Sequence, residues 1–71
     1  MASYAEWIKR CAEGATVMRL HTEILPCGHR MASEYRALLQ DASRSHLHHL
    51  IRTRLAELEQ TLNHLGGAKA A

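Results

Sequence analysis

Seventy-one residues hold one small domain, and surface-to-volume scaling leaves a chain of that size short of core unless it oligomerises or gains a staple. Hydrophobic residues make up 46%, too many for a disordered chain; with no Phe and a single Val, the packing falls to Leu, Ala, Ile and Met, which favours helix. The net charge of +2 is too small to imply a nucleic-acid partner by itself, and so short a chain has little room for an enclosed substrate pocket.

In chain order, Ser3 followed by Glu6 is a capping-box pattern at the start of a helix. Tyr4, Ile8, Cys11, Ala15, Met18, Thr22 and Leu25 recur at spacings of four and three, a helical seam with Trp7 on its flank. Gly14 either weakens that helix or ends it near Glu13. In the second case residues 16–24 read as a strand, because Met18, Leu20 and Ile24 share one parity and Arg19, His21 and Glu23 the other. Pro26-Cys27-Gly28 is expected to break whatever precedes it. Helix resumes from Met31 to Gln40 with Tyr35, Leu38, Leu39 and Ala42 on one side. Residues 41–45 are a break or a kink, since Asp and Ser favour caps.

From Leu47 the apolar positions are Leu47, Ile51, Leu55, Leu58, Leu62 and Leu65, at spacings 4, 4, 3, 4 and 3. This heptad-like ladder is too short for an autonomous coiled coil and belongs to a bundle, where it is the expected dimer and packing seam. Gly66-Gly67 is expected to cap the helix. Residues 1–67 read as one helical domain and 68–71 as a frayed tail. Glu6, Lys9 and Arg10 interrupt the first apolar residues, so neither a leader's apolar core nor a membrane span is expected. Two cysteines make no disulfide framework, and a cytoplasmic, reducing setting is the expectation.

Six histidines are the compositional anomaly. His21, Cys27 and His29 surround the Pro-Gly step and carry the donor types that zinc prefers. A zinc-stabilised regulatory module is therefore one alternative, although the paired spacing of a strong zinc motif is missing and no cofactor is otherwise expected. His46, His48 and His49 fall among arginines. Residues 30–54 carry five arginines against Glu34 and Asp41, and no acid stands between Asp41 and Glu57. Arg44, His48, Arg52 and Arg54 at this basic end are the expected partner-binding residues. No Gly-rich phosphate loop, nucleophile elbow or paired metal-protease histidines occur, so no catalytic residues are assigned and an enzyme is not expected.

If residues 16–24 are a strand and 31–41 and 45–65 are helices, the order is strand–helix–helix, with His49-Leu50-Ile51-Arg52 opening the second helix. That order resembles the ribbon–helix–helix repressors. The resemblance implies a dimeric DNA-binding regulator with Arg19, His21 and Glu23 facing the major groove. Nucleic acid stands second to a protein partner.

The leading reading is an all-α chain: a helical hairpin or three-helix unit that dimerises into a bundle, its N-terminal seam packed on Leu47–Leu65. Its expected role is non-enzymatic, a small interaction module that binds and modulates, or inhibits, a larger protein. Small regulators and phage-encoded accessory proteins share that physique, which is an analogy of size and shape.

Overall fold

A computed structural model describes residues 3–67, and three helices make up nearly all of them, with no strand among the described residues. Helix α1 spans Tyr4–Ala12. Its N-cap is Ser3, whose Oγ accepts the Glu6 amide at 3.3 Å, half of the capping box expected there. Glu13 leaves the helical conformation and Gly14 adopts φ 75°, a backbone region open to glycine at little steric cost. The N-terminal seam is therefore cut in two.

Residues 17–24 are helix, which removes the strand on which the ribbon–helix–helix order depended. Thr16 caps the new helix, its Oγ1 accepting the Arg19 amide at 3.1 Å. Val17–Arg19, a π-helical turn over Leu20–Ile24, and Leu25–Leu39 run on without a break and are called α2 here.

The expected break at Pro26-Cys27-Gly28 is thus absent, and the π turn supplies the reason. A proline inside an α-helix lacks an amide and presses its ring on the carbonyl one turn earlier. The turn just before Pro26 is widened, with the Leu25 amide donating to the Leu20 carbonyl five residues back. Widening the ladder there relieves both problems without ending the helix.

Helix α2 ends at Leu39, with Gln40 as its cap. Asp41 is extended and caps a 3-10 turn over Ala42–Leu47, in which Arg44 leaves helical geometry at φ −108°, ψ 21°. Of the break and the kink that residues 41–45 allowed, the structure has the break. Helix α3 spans His48–Gly67. It runs through the two glycines expected to cap it. Gly66 lies so close to α2 that an added Cβ would stand 3.2 Å from Leu25 Cδ1. The tail expected at 68–71 lies outside the described residues.

Helices α2 and α3 form an antiparallel hairpin, fixed by Leu25 beside Gly66, Gly28 beside Leu62 and an Arg36–Glu59 ion pair. Gly28 is the closest approach: a Cβ there would collide with Leu62 Cδ2 and stand 3.5 Å from Ile8 Cδ1. Helix α1 lies across the hairpin, antiparallel to α2, with Ile8 near Gly28 and the Tyr4 and Tyr35 rings 5.4 Å apart. The core is Ile8, Ile24, Leu25, Ala32, Leu55, Leu58 and Leu62; Ile8 and Leu58 are wholly buried, each contributing about 1.5–3 kcal/mol in removing apolar surface from water.

The ladder of α3 is therefore spent inside the chain. Ile51, Leu55, Leu58 and Leu62 are buried, Leu65 is half-buried against the same core, and only Leu47 is exposed. The seam expected to meet a second copy is filled by the chain's own helices. Met18, placed on the N-terminal seam by spacing, is exposed, because the helical phase restarts after Gly14.

Candidate functional site

The three residues expected to hold zinc sit on one helix. His21 lies in the π turn, and Cys27 and His29 in the α-helical part that follows. Residues two apart on a helix point about 200° away from each other, so Cys27 and His29 cannot converge on one ion. No group of three His, Cys, Asp or Glu side chains suited to a metal occurs among the described residues. The turn that was to gather these ligands does not exist, because Pro26 is absorbed by the helix. Cys11 and Cys27 are both free thiols and half-buried.

The four residues expected to bind a partner separate into two kinds. Three serve the chain's own geometry. Asp41 accepts at Oδ1 from the Ser43 amide (3.0 Å) and hydroxyl (2.6 Å), and at Oδ2 from Arg44 Nε (3.2 Å). His48 Nε2 lies 3.1 Å from the Asp41 carbonyl oxygen and donates to it, closing the turn from the α3 side. The Ser43 hydrogen bonds, aided by Arg44, hold the Asp41 carboxyl below the usual carboxylate range. Arg54 pairs with Glu57 at 3.2 Å. Of the four, only Arg52 is both exposed and without an ion pair among the described residues, and it stands about 200° around α3 from Leu50.

A different feature emerges from the lengths of the helices. Nine residues of α1 span about 14 Å, and twenty of α3 about 30 Å, so α1 covers less than half of its neighbour. The covered part is clear from the open cleft of about 820 Å3 between them, lined from Ser3 to Glu13 on one side and from Glu57 to Leu65 on the other. Before Glu57, the same stripe of α3 continues through Arg54 and Leu50 to Leu47. Among the described residues, no part of α1 lies over this stripe beyond the start of α1.

Large apolar side chains stand out at that opening. Leu50 is 53% exposed, Tyr4 40% and Leu47 36%; Trp7, one turn along α1 from Tyr4, is 46% exposed. Tyr35 is half-buried, its ring tilted 50° against Tyr4, with Arg54 and Glu57 close by. Burial, together with Tyr4, raises the Tyr35 hydroxyl above its ordinary value, and the ring stays neutral. The sequence signalled none of this directly. Leu50 falls outside the ladder spacing, and an extra apolar residue just off a buried stripe was the only hint.

No protein-family model, curated protein or solved structure matches this chain. No helix among the described residues is long and apolar enough to cross a membrane.

Proposed function

We infer that the chain is a non-enzymatic helical interaction module that binds and modulates a larger protein, and that the open half of the α2–α3 groove is where that protein docks. One observation carries this reading: α1 covers less than half the length of α3, and the large apolar side chains Leu47, Leu50 and Tyr4 are exposed. Exposed large apolar and aromatic side chains are enriched where proteins bind one another.

The test compares the chain with its Leu50→Glu variant, purified gently from the cells that make it. Leu50 is exposed, so the variant is expected to keep its helicity. The native chain is expected to elute with a larger protein and the variant to elute free. Elution of both as free chains, or of both in the same complex, would contradict docking at this surface.

A further inference from the structure

Helices α2 and α3 are tied together by polar contacts as well as by packing, and α1 is not. Arg36 pairs with Glu59 across the hairpin, and His48 is held to the Asp41 carbonyl where the two helices join. Among the described residues, no hydrogen bond or ion pair runs from α1 to α2 or α3. The hold on α1 is apolar. Ala5 and Ile8 are its buried residues, and the Tyr4 ring leans on Tyr35. Gly28 is the seat: Ile8 Cδ1 stands 3.5 Å from where a Cβ would be.

The connection between α1 and α2 is also built to separate them. The chain leaves helical geometry at Glu13 (ψ 125°), and Gly14 takes φ 75° with nothing within 4 Å of a would-be Cβ. The Ala15 amide donating to the Ala12 carbonyl at 3.2 Å is the backbone bond that closes this turn. Each helix has its own N-cap, Ser3 for α1 and Thr16 for α2, so α2 starts without help from α1. A helix of nine residues has little stability in water apart from what it packs on. Helix α1 therefore depends on the hairpin, and the local structure of the hairpin does not depend on α1.

We propose that α1 is a releasable strap. It leaves the hairpin as one unit about residues 13–15, loses its helix, and uncovers Gly28 with Leu58 and Leu62, while α2 and α3 stay folded. The released form is a minor state in exchange with the closed one. The strap thereby sets how much of the hairpin's apolar face the chain presents.

The experiment is amide hydrogen exchange of the full chain, read by NMR in buffer and in low, non-denaturing guanidinium. Ile8 to Ala12 of α1 are compared with Leu55 to Leu62 of α3. The α1 amides are expected to be protected less than those of α3 by roughly tenfold or more, all alike, and with a shallow dependence on guanidinium. The α3 amides should show the steep dependence of complete unfolding. Ile51→Val loosens a buried site in the half of the hairpin that α1 does not reach. It should speed exchange in α3 several-fold and leave α1 unchanged, because release does not disturb that site.

Equal protection and equal slope in α1 and α3 would mean that α1 departs only when the whole chain unfolds, and would overturn the strap. A smooth gradient of protection along α1 would also overturn it, since that is a fraying end and not a unit. So would an Ile51→Val variant in which exchange in α1 rises as much as in α3.

Discussion

The two halves of the α2–α3 hairpin are built from similar leucine-rich sequence and end in different states. In the closed half, α1 seats Ile8 against Gly28 and the core around Leu58 is sealed. In the open half, the same helices carry Leu47 and Leu50 into solvent. Composition does not separate them, since Leu50 is as apolar as Leu58. What separates them is whether a third helix is long enough to arrive, and apolar character becomes buried core in one half and exposed surface in the other.

Substitutions in the closed half should have the largest effects. Leu58→Ala removes a wholly buried side chain and is expected to cost about 2–5 kcal/mol, read from chemical denaturation. For a chain this small that approaches its entire stability. Gly28→Ala comes next. The added methyl improves helix propensity by about 1 kcal/mol. It also collides with Leu62, itself buried and unable to swing aside, at an overpacking cost of about 1–3 kcal/mol. Net destabilisation is expected, with the sign reversing in a Leu62→Ala background. Stabilisation by Gly28→Ala in the native background would show that the helices can move apart and that the closed half is looser than described.

The junction between the halves should respond less. Thr16→Ala removes the cap that restarts the helix after Gly14 and is expected to cost about 1 kcal/mol by the same measurement. In the open half, Leu50→Ala should change stability by no more than about 0.5 kcal/mol, the range of exposed positions. A loss as large as that of Leu58→Ala would mean that the groove is closed in solution and erase the contrast.

The smallest effect is pH-dependent. The Asp41 carboxyl is held below its ordinary value in the folded chain, so folding favours its ionised form. Its contribution is full above the ordinary carboxylate range and is lost as pH falls through the lowered value. The melting difference between the native chain and Asp41→Ala should accordingly be present at neutral pH and vanish on acidification. A difference that persists in acid would place the role of Asp41 outside its charge.

Much of the fold was legible because its signals are local. Ser3 and Glu6 marked the first cap, the residues from Asp41 to Ser45 marked the break, and the spacing from Ile51 to Leu65 marked a buried face. Elsewhere local signals pointed the wrong way. Pro26 and Gly28 read as a turn, but a π turn accommodates the first and the Leu62 contact accounts for the second. His21, Cys27 and His29 looked like a ligand set only as long as that turn existed. Of the expected partner-binding residues, Arg44 and Arg54 are held in ion pairs with Asp41 and Glu57. His48 is held to Asp41, and Arg52 lies on the other side of α3.

The sequence by itself determined that this chain is helical, where its apolar faces run and where two of its breaks fall. Those properties depend on residues within one or two turns of each other, and periodicity and capping record them. Only the tertiary structure decided that the leucine ladder is used within the chain, that Pro26 lies inside a helix, and that α1 stops short of Leu50. Each of these depends on what another helix places opposite a residue, and spacing along one helix carries no record of its neighbours.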